Sequence, residues 1–224
     1  MEISQILSEA LSPDFEQRNQ AEIKIDMIAS QNFDSFLVSC SLILCDESKP
    51  KGQRQIASTL IKNMISHTAK YKGMWLKLDR ENKAKVKQHV ISTLASTDKD
   101  VRKAAGIAVA GICKVELPLG EWPDIIDILC QTSLNSNQFI QLASVTTLGY
   151  ISTEITTKDL NDENIAKILS CFHNLINSSN DNELLEVTMN ALLNFLPFTK
   201  RFFEKTVNIF LFLGFKKSFV WNDL

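Results

Sequence analysis

One apolar rhythm recurs five times along this chain of 224 residues, and it restricts the fold more than any other feature. Val101, Ala104, Ala105, Ala108, Val109 and Ile112 stand at i, i+3, i+4, i+7, i+8 and i+11, the spacing of one buried face of an amphipathic helix. Ile140, Ala143, Ser144, Thr147, Leu148 and Ile151 repeat it, as do Leu184, Val187, Thr188, Ala191, Leu192 and Phe195. A fourth copy begins on a polar residue and runs Gln53, Ile56, Ala57, Leu60, Ile61 and Met64. The weakest starts at Gln17 and keeps Ala21, Ile25 and Ile28. Aligned on their starts, the i+4 column is always small (Ala21, Ala57, Ala105, Ser144, Thr188) and the i+8 column always branched aliphatic (Ile25, Ile61, Val109, Leu148, Leu192). A small residue lets a neighbouring helix approach closely, and the aliphatic side chain beside it fills the remaining space.

The starts lie 36 to 48 residues apart, which brackets the period of about 40–47 residues typical of HEAT and armadillo arrays. Between them lie partner stripes: Ile3 to Leu11, Phe33 to Leu44, Val86 to Leu94, Trp122 to Leu129 and Ile165 to Ile176. Ser12-Pro13-Asp14, Lys49-Pro50-Lys51-Gly52, Ser96-Thr97-Asp98 and Asn180-Asp181-Asn182 supply turn or N-cap chemistry ahead of second helices. The expected product is all-α: a right-handed superhelix of about five helical hairpins, with a partial sixth. Residues 1–199 are expected to form the five repeats, and residues 200–224 a partial sixth repeat or an aberrant tail. In that tail a helix could run through Phe202, Phe203, Val207 and Phe210, but Phe215, Phe219 and Trp221 have nothing to pack on. A solenoid end is usually polar, so a Phe-rich end points to a fragment of a longer array or a truncated reading of its gene, and to self-association through the open C-terminal face.

Composition narrows function by exclusion. A net charge of −2 gives no global attraction to nucleic acid or anionic membrane. The longest apolar stretch, Ile209 to Phe215, is far short of a membrane span. Five cysteines (Cys40, Cys45, Cys113, Cys130, Cys171) show no CxxC spacing and read as buried, reduced thiols of a cytosolic or nuclear protein. No P-loop, GxGxxG, HExxH or GxSxG motif is present, and His67, His89 and His173 lie far apart without metal-ligand spacing, so neither catalysis nor a cofactor is expected. The segment Lys70 to Lys87 is rich in lysine. It reads as a solvated first-helix face, with Trp75 as a core anchor, in preference to a nucleic-acid patch.

Several short motifs carry a resemblance. Ala110-Gly111-Ile112-Cys113, Glu116-Leu117-Pro118 and Glu121-Trp122-Pro123 form one junction; Ile61-Lys62-Asn63 after Ala57, Trp75 and Leu148-Gly149-Tyr150-Ile151 form others. With Asn190-Ala191-Leu192-Leu193-Asn194 and Phe198-Thr199-Lys200, they make residues 1 to about 205 similar to the N-terminal HEAT repeats of the importin-β (karyopherin-β) family of nuclear import receptors. The resemblance implies a concave face of second helices that holds Ran·GTP, with Lys62 and Asn63 at the contact. It also implies Phe-Gly nucleoporins docking between first helices on the convex face. Candidate liners there are Leu169, Phe172, His173, Leu211 and Phe212, with core packing the competing role for Leu169 and Phe172. His173 departs from the family's aliphatic pattern at its position. Importin-α or cargo would engage only repeats that lie beyond this chain. Shuttling between cytoplasm and nucleus, with residence at nuclear pores, is implied as well. The competing readings are a HEAT scaffold subunit of another complex and a nucleic-acid-binding helical repeat.

Overall fold

The computed structural model describes the backbone of residues 3–212 and the side chains of residues 3–200. The described residues are helical, with no strand among them, and alternate as first and second helices of stacked hairpins. The pairs are α1 (Ile3–Glu9) with α2 (Phe15–Gln31), α3 (Phe33–Cys45) with α4 (Lys51–Ser66), and α6 (Arg80–Ser92) with α7 (Lys99–Glu116). They continue with α8 (Ile125–Thr132) and α9 (Gln138–Glu154), then α10 (Asp162–Ser178) and α11 (Asn182–Phe212). One helix, α5 (Ala69–Lys77), is inserted between the second and third pairs. The whole is the HEAT-repeat solenoid that the periodicity predicts.

The two columns explain the stacking. Ala21, Ala57, Ala105, Ser144 and Thr188 are all fully buried, as are Ile61, Val109 and Leu148 beside them, while Leu192 is half-buried. α4, α7, α9 and α11 pack consecutively through these positions. Three glycines set the closeness of approach. A Cβ on Gly106 would lie 2.6 Å from Thr147 Oγ1, one on Gly111 2.8 Å from Lys62 Cγ, and one on Gly149 3.2 Å from Ala191 Cα. First helices are looser: α6 and α8 stand apart, with an 800 Å³ groove between them. The tighter layer takes the inside of the bend, so second helices line the concave side.

The connectors behave as capping chemistry requires. Asp14 accepts from Gln17 N at 2.9 Å, Asp98 from Asp100 N and Val101 N, Asn137 from Phe139 N, and Asp181 from Glu183 N and Leu184 N. Pro50 differs, with no side-chain cap at the start of α4. Three arginines then fold back over the connectors. Arg18 donates to Ser12 O and Pro13 O; Arg102 donates to Ser96 O and Thr97 O. Arg54 donates to Leu44 O at 2.9 Å, to both oxygens of Glu47, and to Ser96 Oγ in the next repeat.

Two local expectations change. The Trp75 connector is helical as α5, where Tyr71 stacks on Phe33 with centroids 5.5 Å apart and Trp75 is fully buried. Trp122 is not on the first helix of its repeat. It precedes α8 in a loop with φ 58°, a left-handed conformation rare for a bulky residue, and is still buried. The second helix of the fifth repeat runs unbroken to Phe212, with Pro197 inside it.

Candidate functional site

The concave face is built by side chains that leave the second-helix seams toward solvent. Lys62 and Asn63 sit next to each other on α4: Asn63 is exposed, and Lys62 lies half-buried across α7, where Gly111 gives its stem room. The Lys62 ammonium lies 3.8 Å from Glu154 Oε1 on α9, and the other oxygen of Glu154 accepts from Lys114 of α7 at 2.8 Å. The Lys114 hydrogen bond holds the Glu154 carboxyl below the usual carboxylate range, with Lys62 adding to the effect against partial burial. One carboxylate thus ties together three second helices. A partner that offers an anion to Lys62 must compete with Glu154.

Farther along the same face, Lys51 pairs with Asp98 and Asp100, and Lys99 reaches Glu183 at 2.8 Å. Between α7, α9 and α11, Lys99, Asp100 and Glu183 border a 280 Å³ groove whose floor includes Gly106, Thr147 and Tyr150. The face is therefore charged in alternating sign, with small depressions. That suits a folded protein partner better than a small substrate. Among the described residues, no group of three or more His, Cys, Asp or Glu side chains is placed to hold a metal ion.

On the convex side the candidate liners divide. Phe172 is buried, edge-on to Phe195 at 6.1 Å, and Phe195 stacks on Phe198 at 4.9 Å. Leu169 is half-buried beside them and His173 is exposed, with Asn177 Nδ2 donating to its carbonyl at 2.9 Å. The side chains of Leu211 and Phe212 lie outside the described residues. Phe172 and Leu169 thus serve the core of the fifth repeat.

The lysine-rich segment also divides. Lys72, Lys77, Arg80 and Lys85 are exposed, in keeping with a solvated face. Lys83 and Lys87 are not. They converge on Glu116, which is fully buried at the end of α7, with Lys83 also on Glu121 at 2.9 Å and Lys87 above the Trp122 ring at 5.0 Å. Burial pushes the Glu116 carboxyl up, and the two lysines oppose that push. The Glu-Leu-Pro…Trp-Pro junction is therefore an ionic and aromatic clamp beneath the α6/α8 groove, which the sequence reading did not foresee.

Known proteins share this fold. Residues 27–96 match the family model of the importin-beta N-terminal domain. Importin subunit beta-1 of Arabidopsis thaliana is 28% identical over 187 residues, covering 81% of this chain and 22% of its own length. Kap95p solved with RanGDP, whose switch loops it induces into the GTP-bound conformation, superposes with a TM-score of 0.83 at 24% identity over 92% of this chain. The Kap95:Nup1 complex superposes at 0.84, again with 24% identity, over 95%. At that identity the two structures bear on fold alone. The chain spans 22% of the length of the Arabidopsis relative and 25–26% of the two solved chains. No helix among the described residues is long and apolar enough to cross a membrane. In sequence and in fold alike, this chain resembles the N-terminal HEAT repeats of importin-β.

Proposed function

We propose that this chain is the N-terminal part of a nuclear import receptor whose concave face binds Ran in its GTP form. One observation carries the reading: a second-helix layer closed by Gly106, Gly111 and Gly149 presents Asn63 and the Lys62–Glu154–Lys114 ladder on one continuous surface. Support comes from the similarity to importin subunit beta-1 over most of the chain, and from the Ran complex of Kap95p, a protein of the same fold. Asn63 is free to meet a partner directly, and Lys62 would trade Glu154 for a partner carboxylate in a charge-assisted exchange. The convex face is proposed to take Phe-Gly nucleoporins weakly between first helices, in line with the Nup1 complex of Kap95. Residues 1–199 act as the five-repeat unit, and importin-α or cargo engages repeats other than these five. The receptor shuttles between cytoplasm and nucleus.

Binding is measured by biolayer interferometry with immobilised chain, using Ran loaded with a non-hydrolysable GTP analogue or with GDP. The GTP form is expected to bind at least about tenfold more tightly, a difference of about 1.4 kcal/mol. Asn63→Asp, which leaves the fold intact at an exposed position, is expected to weaken it. Equal affinity for both forms, or no binding by either, removes the assignment.

A further inference from the structure

Cys130 on α8 and Cys171 on α10 stand about one repeat apart in sequence, so the stacking of successive first helices brings them side by side, with their thiols hydrogen-bonded to each other. Ser133 closes the cluster: its hydroxyl lies 3.0 Å from Cys171 Sγ and donates to the Cys130 carbonyl at 2.7 Å. Charged groups flank the pair on the same two helices, where Lys167 Nζ meets Asp127 at 2.8 Å. Cys40 and Cys113 present the opposite environment. Both are fully buried, and burial pushes their thiols up. Cys171 is instead held down to about 7, chiefly by the Cys130 hydrogen bond and also by Ser133, against its own burial. Cys130 moves the other way for the same reason. Cys130 is only partly buried, which opens the pair to small solutes from its side.

We propose that Cys130 and Cys171 form a redox modification site that a hydroperoxide converts to a disulfide joining the first helices of the fourth and fifth repeats. The Cys171 thiolate attacks the terminal peroxide oxygen. The O–O bond breaks, the released alkoxide or hydroxide takes up a proton, and Cys171 becomes a sulfenic acid. The Cys130 sulfur, giving up its proton, then displaces the sulfenic hydroxyl, which leaves with that proton as water. Two thiols are oxidised by two electrons, and one peroxide is reduced to one alcohol (or water) and one water. The new bond fixes the separation of α8 and α10, and with it the bend between these repeats.

The reduced full chain is treated with one molar equivalent of hydrogen peroxide, unfolded in N-ethylmaleimide, digested and mapped by mass spectrometry. The expected product is a single linked peptide joining Cys130 to Cys171, with Cys40 and Cys113 alkylated. Because the Cys130 and Ser133 contacts hold the Cys171 thiol down while burial raises that of Cys45, Cys171 should oxidise at least about tenfold faster than Cys45. In Cys130→Ser the link is lost and dimedone traps a sulfenic acid at Cys171. Even oxidation of all five cysteines, or no linked peptide in the wild-type chain, overturns the proposal.

Discussion

Arg54→Ala offers the sharpest test of what holds neighbouring repeats in register. The Arg54 side chain is 3% exposed, and its four donors reach Leu44 O, Glu47 Oε1 and Oε2, and Ser96 Oγ. These contacts are unequal. Glu47 is 52% exposed, so its carboxylate regains water when the arginine is lost, and the pair contributes no more than about 1 kcal/mol. Leu44 O, at the C-terminal end of α3, is a helix-end carbonyl with Arg54 as its donor, and leaving it buried and unmet costs about 1–3 kcal/mol. The two methylenes removed beyond Cβ forfeit roughly a further 1.6 kcal/mol of apolar burial. The total loss is about 3–5 kcal/mol. With a urea dependence of about 2–3 kcal/mol per molar for a chain of this size, the unfolding midpoint followed by helical circular dichroism falls by about 1–2 M. Glu47→Ala, tested alongside, lowers it by less than half as much. If the two variants cost the same, the ion pair and not the carbonyl is what Arg54 stabilises, and the reasoning fails.

Other outcomes follow from single close contacts. Gly149→Ala brings a Cβ to 3.2 Å from both Cα and Cβ of Ala191; the α9/α11 seam must open, and overpacking of about 1–3 kcal/mol outweighs a helix-propensity gain of about 1 kcal/mol. Gly73→Ala on α5 meets nothing within 4 Å and should stabilise by about 0.5–1 kcal/mol in the same urea titration. Stabilisation by Gly149→Ala would show that the seam is not close-packed. Glu154 tests the ladder by pH. Its folded carboxyl sits below the usual range, so its stabilising effect is present above the unfolded pKa and disappears as pH falls through the lowered folded one. The stability gap between wild type and Glu154→Gln is therefore wide at neutral pH and closes in acid; a gap that does not vary with pH argues against the ladder.

The second helices were legible because five copies of one apolar template cannot be satisfied except by stacking, and each small i+4 residue is buried where the template places it. α5 carries the same spacing in Tyr71, Met74, Trp75 and Leu78, but it is short and lysine-rich, and its partners Phe33 and Asp26 lie on earlier helices. Trp122 fitted a helical stripe, yet its burial comes from a loop bent by its own left-handed backbone. An apolar template also passes over the polar columns. Asp or Asn three residues before a start (Asp14, Asp98, Asn137, Asp181) and Arg one residue after it (Arg18, Arg54, Arg102) were visible in the sequence and mark the caps and connector locks. The partner of Lys62 was not visible. Glu154 lies two repeats away, and only the superhelical pitch and the missing Cβ of Gly111 bring the two together.

The two layers therefore bend by different means. Opening a second-helix seam separates Gly149 from Ala191, an apolar and close-packed contact that water cannot replace. Spreading α6 from α8 instead lifts Lys87 off the Trp122 ring and draws Lys83 away from the exposed Glu121 along an open groove, where water can take over part of the charge solvation. A change of curvature is cheapest at that junction, with the concave ladder moving as a unit. One repeat farther on, α8 and α10 meet through Cys130, Cys171 and the Lys167–Asp127 pair, so a covalent bond there would stiffen the convex side next to its most compliant point. If the array adapts its pitch to whatever its concave face holds, oxidation should slow that adaptation without touching a single residue of the face.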